Sequence, residues 1–477
     1  MLLTAASKKY YAVMKIDMTE EFRARVDAFI EKTRSDVKRD LSRLVAVPSV
    51  AADEDGEFVY GRAAAQALDV ASSIGKEHGF LTENHGYRCV SVLLTGETER
   101  EMGIVCHSDV VPAGDGWSTD PFTLVERDGL YIGRGTRDDK GGIIAALYAM
   151  KFISEEYGKL PFAVRLIIGS DEERGMSDLP YFLATRRAPE FSFTPDSDYP
   201  VCIGEKGILG CEALLCDVGV IADIRGGTAD NSVCDSVIAI INTEKELTSS
   251  DGITVAGEEG AYRVTATGKT AHAAYPDGSV NAVSVLASYL LDNDVTSDPR
   301  ETAALKIMAG LSESDGSVFG IAGADTKSGP LTCICGRVFV RDSRIVTDIN
   351  IRYPVTVVGG DVFATLSSRL ALSGFEAELK YDKSPYYFDP SGKHVRALID
   401  AYTQITGRTD TTYTTGGGTY ARAFPNTVAF GLTFTDAAGL LGEGRGGPHE
   451  RDEYIALREL EDSIRIFAAA LLNLAER

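Results

Sequence analysis

His107-Ser108-Asp109 ends the apolar run Gly103-Ile104-Val105-Cys106, which puts a histidine where a buried strand meets solvent and a carboxylate two positions on. Side chains alternate along a strand, so His107 and Asp109 share one face if the backbone stays extended. The aspartate can then accept the free imidazole N–H and fix the tautomer that ligates a metal. A single His-x-Asp reads more simply as incidental hydrogen bonding, so its meaning depends on what else the chain supplies.

It supplies acids in turns. Gly133-Arg134-Gly135-Thr136-Arg137-Asp138-Asp139-Lys140-Gly141-Gly142 stands directly before a helical stretch. It lacks the GxxxxGK[ST] spacing of a phosphate cradle and presents two carboxylates instead, fitting either helix capping or cation ligation. Gly169-Ser170-Asp171-Glu172-Glu173 ends the strand-like run Phe162–Ile168, where repulsion between carboxylates raises a pKa or demands a metal. Asp196 and Asp198 lie between Pro195 and Pro200, and Gly447-Pro448-His449 puts a second histidine in a rigid turn. Of six histidines, two stand in such turns, and two histidines with several carboxylates and no thiolate ligands suit a pair of Zn²⁺, Mn²⁺ or Co²⁺ ions in a hydrolytic two-metal site.

In this order the runs from His107 to Trp117, Gly133 to Gly141, Thr194-Pro195-Asp196 and Gly416-Gly417-Gly418-Thr419-Tyr420-Ala421-Arg422 resemble the M20 family of co-catalytic metallopeptidases, in particular its dipeptidase V type. The resemblance implies that His107, Asp138 and Asp196 hold one ion and that Asp138, Glu173 and His449 hold the other, with Asp138 bridging and Asp109 orienting His107. Glu172, beside a ligand but not one itself, is implied as the general base. A cis peptide at Asp138-Asp139 is implied as well.

The resemblance extends to a lid. In Gly268-Lys269-Thr270-Ala271-His272, His272 corresponds to the histidine that polarises the scissile carbonyl, and Arg352 in Asn350-Ile351-Arg352-Tyr353-Pro354 to the arginine that clamps the substrate's terminal carboxylate. Asn231, Gly418 and Thr419 match substrate-contacting positions. Cys234 stands where a proline is usual, and Ser108 replaces an apolar residue. His78, His85 and His394 match no motif and read as surface or structural.

Positioning these groups requires a scaffold, and its texture is legible. Val90–Leu94, Met102–Cys106 and Phe162–Ile168 alternate with helical stretches at Gly61–His78 and Ile143–Glu156, which indicates an α/β layer with a largely parallel core sheet. From about Gly207 the texture becomes α+β, compatible with a duplicated ferredoxin-like insertion. Helices are expected at Val280–Leu291, Asp361–Ser373 and Leu457–Leu474. The expected organisation is a two-metal aminopeptidase-like catalytic domain at 1–204 and 389–477, interrupted by a lid domain at 205–388. Residues 1–15 read as a disordered extension, and Asp17-Met18-Thr19-Glu20 has the form of a helix-capping box.

A net charge of −22 over 477 residues argues against nucleic acid and anionic membranes as partners. No uncharged apolar run reaches the ~18 residues of a membrane span. Eight cysteines without a CxxC pair favour a reducing cytoplasm. The expected function is hydrolysis of short peptides, above all dipeptides with a free amino end, by a monomer carrying two divalent ions, zinc first and manganese or cobalt as alternatives. An aminoacylase or N-acyl amino acid deacylase on the same metal core is the enzymatic rival. A non-catalytic metal-dependent peptide-binding module is the other, and Glu172 argues against it because binding needs no base.

Overall fold

The computed structural model describes residues 20–258, 260–410, 412–434, 439–442 and 444–477. The expected N-terminal extension and the capping residues Asp17 to Thr19 lie outside them. The chain divides into two compact units, one formed by Met1–Ile203, Phe388–Tyr413 and Thr419–Arg477, the other by Gly204–Tyr387 and Thr414–Gly418.

The first unit is built on strands β1 (Leu81–His85), β2 (Cys89–Leu94), β3 (Glu101–His107), β4 (Ala163–Gly169), β5 (Phe191–Thr194) and β6 (Val201–Glu205), joined by the later strand Thr427–Phe430. Their order is β1-β2-β4-β3-β5, then Thr427–Phe430, then β6. β4, β3, β5 and Thr427–Phe430 run parallel. β1, β2 and β6 are antiparallel to their neighbours. The expected parallel core is present at the centre of the sheet, and the sheet as a whole is mixed because its edge strands are antiparallel. Short apolar runs reveal burial but carry no sign of strand direction.

The parallel centre is buried on both faces, so β3 and β4 read as continuous apolar runs rather than alternating ones. The helix Lys140–Glu156 is buried nearly all round and packs against the helices Glu20–Val45 and Leu457–Ala475 as well as the sheet. Its Gly141-Gly142 start is a matter of space: a Cβ on Gly142 would stand 2.0 Å from Asp139 Oδ1.

The second unit is one eight-stranded sheet with β7 (Gly207–Asp217), β8 (Ile221–Gly226), β9 (Ser236–Ile241), β10 (Ile253–Glu258), β11 (Ala261–Thr267), β12 (Thr332–Arg341), β13 (Arg344–Tyr353) and β14 (Glu376–Lys383). The order is β10-β11-β9-β8-β12-β13-β7-β14. Every pairing is antiparallel. The helices Ala282–Asp292, Pro299–Ala309 and Gly359–Ala371 contribute Leu286, Leu290, Leu305, Met308, Leu366 and Leu370 to its core. The helix Pro299–Ala309, capped by Asp298 through the N–H groups of Arg300 and Glu301, was not expected from the sequence.

All eight cysteines are buried free thiols. Among the described residues no helix is long and apolar enough to cross a membrane.

Candidate active site

In the first unit the acids and histidines converge at the carboxyl ends of the parallel strands, where an open α/β sheet places ligands. His107 is the last residue of β3, Glu172 and Glu173 follow β4 by a short turn, and Asp196 follows β5. Asp138 comes from the turn before the helix Lys140–Glu156, and its peptide bond to Asp139 is cis. His449 comes from the loop before the last helix, with a φ of 64°.

Asp138 stands between the two histidines. Its Oδ1 lies 2.9 Å from His107 Nε2, and its Oδ2 lies 3.2 Å from His449 Nε2. Asp196 approaches His107 Nε2 to 3.8 Å and Glu173 approaches His449 Nε2 to 3.1 Å. Two clusters have donor atoms mutually within 4.8 Å: His107 with Glu172 and Asp196, and Asp138 with Glu173 and His449. Glu172 thus sits inside the first cluster, while Asp138 reaches toward both histidines.

Asp139 occupies the N-cap position of the helix without a side-chain capping bond. It instead accepts the His107 backbone N–H at 3.4 Å. The nearer partner of His107 Nδ1 is the Asp109 carbonyl, at 3.0 Å, with the Asp109 carboxylate 3.5 Å away. The other carboxylate oxygen of Asp109 accepts the Glu173 backbone N–H, so the residue ties the two strand ends together.

Electrostatically the site is overfilled with acid. Burial, then the charge of Asp196, pushes Glu172 well above its ordinary value. Burial, then Asp138, raises Glu173, and the same pair of causes pushes Asp196 up to about 8. Burial would raise Asp138 too, but hydrogen bonds with His107 and His449 outweigh it and hold this carboxyl well below its usual range. Burial opposes charge on His449, yet Asp138 and Glu173 carry it up to about 11.

This donor set fits divalent cations. Glu172 Oε1 is buried and has no hydrogen-bond partner among the described residues, which native structures rarely tolerate. Oxygen and imidazole donors without thiolate match zinc, manganese or cobalt. His107, Asp138, Asp196, Glu173 and His449 would hold such ions.

Two supports escaped sequence reasoning. Glu453, fully buried, accepts the backbone N–H groups of Arg137 and Asp138 on one oxygen and that of Gly135 on the other, where it also meets Arg134 Nη1 at 2.7 Å. It cradles the turn that presents Asp138. Asp178 accepts the N–H groups of Ser170 and Asp171 and the Tyr420 hydroxyl, fixing the turn ahead of Glu172. The Tyr420 ring in turn stands edge-on to His107, with centroids 6.0 Å apart. Acids in a polar run look like surface, and only the register of the fold reveals these as buried.

Of the other expected residues, Thr419 caps the short helix Tyr420–Ala423 through the Ala421 N–H. Asn231, His272, Arg352 and Gly418 belong to the second unit. There Ser232 forms a β-bridge with His272, and the Asn231 carbonyl accepts the Ala273 N–H at 2.8 Å. Arg352 is buried on β13 and donates from Nη1 to the Gly416 carbonyl at 2.9 Å. His78 pairs with buried Asp40, His85 with Ser91, and His394 stacks on Phe191.

A mixed α/β sheet with histidines and carboxylates gathered at its parallel strand ends defines a metal-dependent hydrolase. Residues 103–473 match Peptidase family M20/M25/M40, and the chain belongs to that family as a metallopeptidase. A Staphylococcus epidermidis protein named "Putative dipeptidase" is 30% identical over 458 residues, spanning 91% of this chain and 96% of that one. The fold is similar to that of the dipeptidase Dug1p of Saccharomyces cerevisiae, with a TM-score of 0.60 and 13% identity over 95% of this chain and 98% of that one. It is also similar to human carnosine dipeptidase 1, with a TM-score of 0.59 and 15% identity over 96% of this chain and all of that one.

Proposed function

We propose that this chain hydrolyses dipeptides with a free amino end at a pair of divalent ions. The observation that carries the reading is Asp138, whose two oxygens face His107 and His449 from a single carboxylate. When bound, the ions would supply Lewis acidity that polarises the scissile carbonyl and lowers the pKa of a water. Glu172, inside the first cluster but outside the proposed ligand set, takes a proton from the attacking water and passes it to the leaving amine. Asp109 holds His107 in its ligating orientation.

His272 is assigned to stabilising the developing oxyanion and Arg352 to pairing with the terminal carboxylate, with Asn231, Gly418 and Thr419 contacting substrate. Zinc is the ion proposed, with manganese and cobalt as substitutes. A monomer acting in the cytoplasm is proposed with it, and the eight free thiols support a reducing compartment.

The test joins metal analysis to a substrate panel. The purified chain is expected to contain two equivalents of metal, to lose activity to chelators and to regain it with Zn²⁺, Mn²⁺ or Co²⁺. Glu172→Ala is expected to keep its metals and to lose about 100-fold or more in kcat. Full activity in that variant would refute the mechanism. Faster cleavage of N-acetyl dipeptides than of free ones would shift the assignment to a deacylase.

A further inference from the structure

The arginine assigned to the substrate carboxylate has a neutral neighbour on its own strand. Arg352 Nε donates to Asn350 Oδ1 at 2.9 Å, two residues back on β13 and therefore on the same face. Asn350, also buried, donates from Nδ2 to the Tyr381 hydroxyl oxygen on β14 at 3.1 Å. Tyr381 then donates to Asp230 Oδ2 at 2.7 Å. Asp230 immediately precedes Asn231, whose carbonyl holds the Ala273 N–H beside His272. One hydroxyl thus links the strand that carries Arg352 to the loop that carries Asn231.

Strands β13 and β14 are not neighbours, because β7 lies between them. In register, Gly210 of β7 faces Asn350 on one side and Tyr381 on the other. The Tyr381 ring lies over this glycine: a Cβ there would stand 2.4 Å from the ring. The pairing of β7 with β14 shifts between Gly210 and Cys211, an irregularity that accompanies this placement. A tyrosine reaches across an intervening strand only because that strand has no side chain at the crossing.

We propose that Tyr381 and Asn350 are positioning residues for the substrate's carboxylate, setting the rotation of the Arg352 guanidinium and its spacing from Asn231 across the gap left by Gly210. This rests on the reading of Arg352 as the carboxylate clamp. A guanidinium recognises a carboxylate in a planar, two-pronged geometry, so a small rotation weakens recognition without removing charge.

The test measures KM and kcat of the metal-loaded full chain for alanyl-alanine and for its C-terminal amide. Tyr381→Phe is expected to raise KM for the free acid about five- to tenfold, with kcat within about twofold and the amide unaffected, as befits one lost hydrogen bond. Gly210→Ala, which displaces the ring by contact rather than deleting its hydroxyl, is expected to shift the same ratio. Arg352→Ala is expected to abolish the preference for acid over amide, and adding Tyr381→Phe to it to change nothing further. If Arg352→Ala keeps the preference, the clamp reading fails and this inference with it. If Arg352→Ala loses it while Tyr381→Phe and Gly210→Ala keep the normal KM, or raise it equally for acid and amide, the positioning role alone is overturned. A wild-type chain that cleaves neither compound overturns the dipeptidase reading itself.

Discussion

The turn that presents Asp138 and the strand that presents Arg352 hold their functional side chains by opposite means. At the turn, a buried carboxylate collects three backbone N–H groups and the Arg134 guanidinium. On the strand, Asn350 and Tyr381 pass hydrogen bonds from Arg352 to Asp230 across a sheet whose register and one missing side chain set the distances. The first device depends on buried charge and fails when a charge is removed. The second depends on shape and fails when an atom is added. Irregular backbone offers no ladder to hold a side chain in place, so its donors need a strong acceptor, whereas a sheet supplies the frame at no further electrostatic cost.

Removing the buried charge is expected to have the largest effect. Glu453→Ala leaves Arg134 buried without its partner and frees the N–H groups that shape the turn. A loss of about 3–5 kcal/mol in stability is expected, together with a lower metal content, read by denaturant titration and metal analysis. A variant as stable as the parent would break the contrast. Gly210→Ala in the second unit is expected to cost less, about 1–3 kcal/mol as overpacking does, and to leave the metal content unchanged.

Acid should separate the two units further. Burial would raise the Asp40 carboxyl, but hydrogen bonds with His78, Tyr148 and Arg39 outweigh it and depress the carboxyl far below its ordinary 3.8. A carboxyl depressed on folding contributes stability that is present above its unfolded value and is lost as pH falls toward the folded one. In the second unit Asp325 is less buried and is lowered to about 2, overcoming burial by bonds from Ser328 and Thr356, so its contribution fades between 3.8 and about 2. Urea midpoints measured from pH 6 down to pH 2 are expected to fall below pH 4, and Asp40→Asn is expected to flatten that fall more than Asp325→Asn at the acid end. At the small end, removing the exposed pair Arg174 and Asp53 is expected to leave the midpoint unchanged, the ordinary outcome for a surface ion pair.

The same contrast explains what the sequence disclosed. His107, Glu172, Glu173 and Asp196 stand at or just past the end of an apolar run, and Asp138 and His449 stand in turns marked by glycine or proline; such punctuation is visible in one dimension. Glu453 was visible only as one more acid in a polar stretch, because its donors come from residues more than 300 positions earlier. Asn350, Tyr381 and Gly210 show nothing unusual in their strands until β7 is placed between β13 and β14. The glycine was the one local hint, since a glycine inside a strand marks a close approach, but it could not say of what. The antiparallel edges of the first sheet were hidden for a similar reason: apolar runs such as Cys89–Leu94 record burial and carry no arrow.

The eight sealed thiols offer a clock. Cys89, Cys106 and Cys202 belong to the first unit, and Cys211, Cys216, Cys234, Cys333 and Cys335 to the second. None reacts with an alkylating reagent until the backbone around it opens, so the rate at which each is labelled reports the opening of its own neighbourhood. Mass spectrometry of partly labelled protein would therefore time the loosening of the two units separately, in one tube and without introducing a probe.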